Sequence, residues 1–118
     1  LYAFMLERMG DALTSIVFFK RDGLSGDALL AECDKLCPHH VSHWLGMDVH
    51  DTSTVPRNIE CSPDVVITVE PGIYVRPDNG GGLGFRIEDD VLITETGAEV
   101  LTANCVRESN EIEYCMRI

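Results

Sequence analysis

No apolar run in this chain approaches the roughly 18–20 residues needed to cross a bilayer, so no membrane segment is expected. Positive charge is scarce: 9 Lys and Arg stand against 20 Asp and Glu, a formal net charge of -11. Such a surface repels nucleic-acid phosphates and has no basic stripe to hold them, which argues against a nucleic-acid partner. Internal repeats, low-complexity segments and a signal-peptide pattern are all missing. The first residue is Leu1 rather than a methionine, which raises the expectation of further chain upstream, a removable targeting segment included. Closely paired cysteines are missing too. Cys33, Cys37, Cys61, Cys105 and Cys115 are odd in number, and no second Cys or Cys/His pair stands near Cys33 and Cys37 to complete a zinc knuckle. Free thiols in a reducing compartment are the expectation.

What is present is ordinary for a folded domain: 118 residues, 45% hydrophobic and 25% charged. The acidic excess has two readings. It can be a solvated surface, or some of the carboxylates can await a cation, because clustered anions are costly to bury without a counter-charge.

Tyr2, Met5, Leu6, Met9, Leu13, Ile16 and Val17 fall on one helical stripe, with a stop expected at Lys20-Arg21-Asp22-Gly23. A second helix is expected from Ser25, as N-cap, through Leu29, Leu30, Cys33 and Leu36 to Pro38. Then the pattern changes to strands. Val65–Val69 is β-branched and ends at Pro71-Gly72; Asp78–Gly82 reads as a turn; Phe85–Thr94 reads as one strand. Thr96-Gly97 turns into a short strand, Glu99–Thr102, and the tail from Val106 to Ile118 is expected to be helical. Two helices followed by a strand meander predict an α+β domain with helices on one face of an antiparallel sheet. Its parts are a helical region 1–37, a metal-site and sheet region 38–105, and a tail 106–118.

The densest chemical signal is PHHVSHWLGMDVHD, Pro38 to Asp51, which holds all four histidines. That density favours a metal or acid/base role over four separate structural histidines. His39 and His43 have the i, i+4 spacing of a helical zinc pair, but His40 stands where a zincin carries its glutamate, and Pro38 and Gly46 disfavour a long helix. An extended or looped segment is expected instead. Glu70 ends the β-branched run, sharing a face with Val66 and Thr68, and can be a strand-end surface residue or a site residue. Arg86, Glu88 and Asp90 share another face. They form either an exposed acidic edge that blocks aggregation, or a group in which Glu88 binds a cation while Arg86 holds a neighbouring carboxylate. If His43, Glu70 and Glu88 converge, their one nitrogen and several oxygens suit Mn²⁺, Co²⁺ or Zn²⁺, and bridging carboxylates raise a two-metal hydrolysis.

At these residues the chain resembles the Xaa-Pro aminopeptidase (aminopeptidase P) branch of the pita-bread metallopeptidases. The stretches that carry the likeness are HHVSHWLGMDVHD (His39–Asp51), ITVEPGIYV (Ile67–Val75) and GLGFRIEDDVLIT (Gly82–Thr94), in matching order and spacing. The His39-His40 opening is most similar to the mitochondrial-type members, and the helical third is matched only loosely. The resemblance implies the C-terminal half of a pita-bread fold, with helices on a curved antiparallel sheet. It implies two divalent ions, Mn²⁺ first, held by two aspartates, one histidine and two glutamates. It makes His43 the histidine ligand, Glu70 the first glutamate and a base for the attacking water, and Glu88 the bridging glutamate. His39 and His50 become substrate-contacting histidines that help stabilise the tetrahedral intermediate, and Arg86 an arginine supporting the ligands.

The chain departs from the family at the two aspartates, which the family carries on an earlier strand pair. Before His43 this chain has only Asp11, Asp22, Asp27 and Asp34, all in helical or turn contexts. The second metal site is thus expected to be incomplete and the isolated chain inactive. The implied activity is release of the residue preceding proline by a water activated between two metal ions, with peptide substrates carrying proline second. Prolidase, which demands a free dipeptide, and a non-catalytic pita-bread binding module are the alternatives. A homodimer at full length and a mitochondrial or cytoplasmic location complete the expectations.

Overall fold

The computed structural model describes residues 1–16, 24–76 and 81–117. The expectations placed on Val17, on Lys20–Gly23, on Asp78–Gly80 and on Ile118 lie outside the described residues. In chain order the elements are α1 (Tyr2–Ser15), α2 (Asp27–Leu36), β1 (Val66–Val69), β2 (Gly72–Val75), β3 (Leu83–Arg86), β4 (Asp89–Thr94), β5 (Gly97–Val100) and α3 (Ser109–Cys115). They fall into two compact units, Leu1–Ser42 with Glu70–Arg86, and His43–Val69 with Ile87–Ile118.

In the first unit α1 buries Met5, Leu6, Met9 and Leu13, the stripe that a 3.6-residue period dictates. Ile16 departs from that expectation. It stands at the C-cap, one residue past the end of the helix, and is 70% exposed. Gly10 lets the two helices close together: a Cβ there would stand 3.0 Å from Leu29 Cδ2. From α2 the core receives Cys33, which is fully buried, and Cys37 and Val41 follow from the exit segment. The cap of α2 is Gly26, not Ser25. Its φ of 54° lies in the left-handed region, where glycine carries no Cβ penalty. β2 and β3 form a two-stranded antiparallel hairpin, with Tyr74 opposite Gly84. Two strands alone are marginal in water, and α2 and Ile73 supply the packing that supports them.

The second unit holds an antiparallel sheet in the order β1-β4-β5. One expectation fails here. Phe85–Thr94 is not one strand: Arg86 ends β3 in the two-stranded sheet, Asp89 opens β4 in the three-stranded one, and Ile87-Glu88 makes the transfer. The strands are therefore not a simple meander, since β1 pairs with β4 across the intervening hairpin. The turn after β4 is Glu95-Thr96, so β5 begins two residues before the expected Glu99. The tail is helical over Ser109–Cys115 only, and α3 buries none of its residues. All five cysteines are free thiols. Burial, with a smaller push from Glu32, raises the Cys33 thiol above its ordinary value.

Two measurements check this packing. Leu13 is 3% exposed, so Leu13→Ala is expected to lower unfolding free energy in urea by about 2–5 kcal/mol. The Tyr2 hydroxyl donates to Asp34 Oδ1 at 2.6 Å. Burial and that carboxylate push Tyr2 from 10.0 up to about 12. Below pH 10 the phenol is protonated folded or unfolded; above it the unfolded chain loses the proton first. Stability is therefore expected to fall from pH 10 to about 12, and Tyr2→Phe to remove that step from an alkaline unfolding titration.

Candidate metal centre

Residues 41–45 are the histidine segment's contribution to the sheet. The Glu70 amide donates to Val41 O at 2.7 Å, the Thr68 amide to His43 O at 3.0 Å, and the Leu45 amide to Val66 O at 3.1 Å. Trp44 bridges Ile67 in the antiparallel sense. The segment is thus extended rather than helical, as Pro38 and Gly46 lead one to expect, and it sets His43 opposite Thr68. On the other edge of β1 the register pairs Thr68 with Asp90 and Val69 with Asp89. Glu70 and Glu88 are the next residues along each strand. Opposite residues of an antiparallel pair point to one face, and so do residues two apart on a strand. His43, Thr68, Glu70 and Glu88 therefore share a face.

The side chains agree with that register. His43, Glu70 and Glu88 each offer a ligand atom, and these atoms lie within 4.8 Å of one another. Two bonds of about 2.1 Å to one ion span about 4.2 Å at most, so small side-chain adjustments bring the three donors onto a common cation. Burial differs along the set: Glu70 is 7% exposed, His43 half-buried and Glu88 exposed. Glu70 is therefore not the surface residue that a strand-end carboxylate can be. Arg86 donates from Nη1 to Glu70 Oε2 at 3.2 Å, a charge-assisted contact that offsets the cost of burying the carboxylate.

The imidazoles are also oriented. His43 Nδ1 lies 2.9 Å from Trp44 O. A carbonyl only accepts, so Nδ1 carries the proton and Nε2 the lone pair, the form a metal-ligating histidine takes. The His43 amide donates to Thr68 Oγ1 at 3.0 Å, which ties its backbone to the fully buried threonine. His50 stands with its ring 4.7 Å from that of His43, nearly perpendicular. Gly46 makes the intervening loop possible: Trp44 and Asp51 bridge across it, and a Cβ on Gly46 would collide with the Asp51 side chain. The donor set, one imidazole in the ligand tautomer and two carboxylates on one face, fits a divalent ion of intermediate softness.

His39 lies apart from the three donors. Its Nδ1 donates to His40 O at 2.8 Å, and Nε2 lies 3.0 Å from the Tyr74 hydroxyl. The two rings meet edge-on, 5.3 Å between centroids. Tyr74 was not singled out from the sequence, and neither was Thr68. For Thr68 the signal was available, since it stands two residues before Glu70 on the same strand face. For Tyr74 the clue was the neighbouring glycines: a Cβ on Gly72 would come 2.6–2.9 Å from its ring and one on Gly84 3.1 Å, so both leave room for it. Among the upstream aspartates, Asp11 pairs with Arg8 on α1 at 3.0 Å, Asp34 accepts from Tyr2, and Asp27 opens α2.

The chain is similar to known proteins in sequence and in fold. "Xaa-Pro aminopeptidase 3" of Rattus norvegicus is 44% identical over 99% of this chain, helical third included, and 24% of its own length. "Intermediate cleaving peptidase 55, mitochondrial" of Arabidopsis thaliana is 50% identical over 67% of this chain and 17% of its own. In three dimensions the chain is similar to Escherichia coli aminopeptidase P, solved with the inhibitor Pro-Leu. The TM-score is 0.72 and the identity 39%, over 94% of this chain and 27% of the other. The α+β class and the pita-bread likeness are thereby shown. This chain spans about a quarter of the length of the curated relatives it matches most fully. The model of metallopeptidase family M24 matches residues 7–95, a stretch that contains His43, Glu70 and Glu88, and the chain belongs to that family.

Proposed function

We propose that this chain is part of the catalytic domain of a metal-dependent aminopeptidase that hydrolyses the N-terminal Xaa-Pro bond of peptides. The observation that carries the reading is the convergence of His43, Glu70 and Glu88 within 4.8 Å. When bound, divalent metal ions supply Lewis acidity and acidify a water molecule to serve as nucleophile at neutral pH. Mn²⁺ is the first candidate, with Co²⁺ and Zn²⁺ compatible with the same donors.

The residues divide the remaining work. His43 offers a nitrogen whose tautomer is set by Trp44 O. Glu70, held by Arg86, offers an oxygen and is the base that takes the proton of the attacking water. Glu88 would be the carboxylate that helps to hold both ions. His39 and His50 contact the peptide and help stabilise the tetrahedral intermediate, and Tyr74 holds the His39 ring in position. The second ion needs carboxylates that the described residues before His43 do not offer in a strand context. On this reading residues 1–118 form a single partial domain that is inactive alone, and the full-length protein forms a homodimer in mitochondria or cytoplasm. The name of the Arabidopsis thaliana relative favours the mitochondrion.

Two measurements test this. Calorimetry on the 118-residue chain should show weak Mn²⁺ binding, reduced about tenfold or more by His43→Ala or Glu88→Gln, with no turnover of an Xaa-Pro dipeptide amide. Strong metal-dependent turnover by the isolated chain would sink the account of missing ligands. On the full-length protein, cleavage of an Xaa-Pro-Xaa tripeptide is expected; activity confined to Xaa-Pro dipeptides would assign prolidase chemistry instead.

A further inference from the structure

Glu88 is the first of three consecutive acidic residues, Glu88-Asp89-Asp90, and any of them can attract a cation. The second unit contains a device that separates Asp89 from Glu88 and Asp90, which alternation puts on the other face. The β4–β5 register pairs Val91 with Val100. Carried two residues further, it sets Asp89 opposite Thr102. The Thr102 hydroxyl donates to Asp89 Oδ1 at 2.7 Å and accepts from the Asp90 amide at 3.1 Å. Arg107 Nη1 donates to Asp89 Oδ2 at 2.6 Å, with the two side chains 37% and 23% exposed. Both oxygens of one carboxylate are therefore held by the segment that follows β5. Partial burial and a second donor set this pair apart from the isolated surface ion pairs that contribute little.

The position of Asp89 gives the contact its consequence. Asp89 opens β4 and is paired with Val69, the residue before Glu70. Alternation sends Asp89 to the face of Ile67 and Val91, and Glu88 to the face of Thr68 and Glu70. A slip of one residue would exchange the two, turning Asp89 toward the metal face and Glu88 away from it. We propose that Arg107, with Thr102, is a register lock that holds Asp89 off the metal face and so selects Glu88 over Asp89 as the carboxylate offered to the ion beside Glu70. Arg107 is a positioning residue in this scheme and touches neither ion nor substrate. The proposal rests on the reading of His43, Glu70 and Glu88 as a metal centre.

The test uses the 118-residue chain, with Mn²⁺ titrations followed by electron paramagnetic resonance and cross-strand nuclear Overhauser contacts between Val69 and Asp89. Arg107→Gln is expected to weaken Mn²⁺ binding about tenfold and to lose or shift the Val69–Asp89 contact. In that background Glu88→Gln should cost less affinity than in the parent chain, while Asp89→Asn should cost more affinity on top of Arg107→Gln. Arg107→Lys should keep the parent pattern, since a single nitrogen makes the contact. A contribution to stability alone would lower the urea midpoint of Arg107→Gln with the Val69–Asp89 contact and the cost of Glu88→Gln unchanged, and that result overturns the lock. If Glu88→Gln and His43→Ala leave Mn²⁺ affinity of the parent chain unaltered, the metal-centre reading fails. The lock is then decided by the contact: retained in Arg107→Gln it is wrong, lost in Arg107→Gln and restored in Arg107→Lys it holds.

Discussion

The antiparallel register of β1 is the constraint on which the rest depends. On one side Val69 faces Asp89; on the other, Thr68 exchanges hydrogen bonds with His43. These two pairings bring residues from three distant parts of the chain to one face with no other instruction. Side-chain direction in a strand has a period of two, so there is no intermediate error. A slip of one residue on either edge would turn that edge's donor to the opposite face, where Ile67 is buried, and so remove it completely. The same burial that stabilises the sheet thus sets the geometry of the donors. Apolar packing on one face and the gathering of the candidate donors on the other are two consequences of one register.

That arrangement carries an electrostatic cost that the surrounding residues offset. Gathering carboxylates on one face of an acidic chain is unfavourable, and a buried anion needs a partner or a cation. Glu70, the most buried of the set, has Arg86; Asp89, on the opposite face, has Arg107 and Thr102. Two of the nine cations in the chain are therefore placed at the two ends of the Ile87-Glu88 crossing, where like charges are densest. Glu88, exposed, is the carboxylate among the three candidate donors that solvent stabilises.

Much of this was legible in the sequence, for reasons that are local. The stripe Met5, Leu6, Met9 and Leu13 has a helical period, and the run Val65–Val69 has the β-branched content of a strand, so both elements could be read directly. The three ligand candidates were legible because their neighbours are distinctive: a histidine-rich extended segment, a glutamate stopped by Pro71-Gly72, and charge alternation after Phe85. What could not be read was tertiary. The stretch Phe85–Thr94 contains no glycine or proline to mark a break, and only the different partners of its halves, β2 for one and β1 for the other, divide it at Ile87-Glu88. Ser25 has the right chemistry for a cap, but Gly26 takes the role because the entry into α2 demands a positive φ. Ile16 fits the stripe by period and misses it by position, one residue past the end of α1.

The split at Ile87-Glu88 also explains why Arg86 and Glu88, two residues apart, have different tasks. In one continuous strand they would point the same way at neighbouring positions, and the guanidinium would compete with a cation for the glutamate. With the chain changing sheets between them, Arg86 remains the end of the β2–β3 hairpin and reaches Glu70, while Glu88 begins the approach to β4. The hairpin, weak by itself, is held by α2 and by Ile73 in the core, so the stability of the helical unit is transmitted to the Arg86 contact with Glu70. The helices supply none of the candidate donors, yet the orientation of Glu70, the most buried of them, depends on the packing they provide.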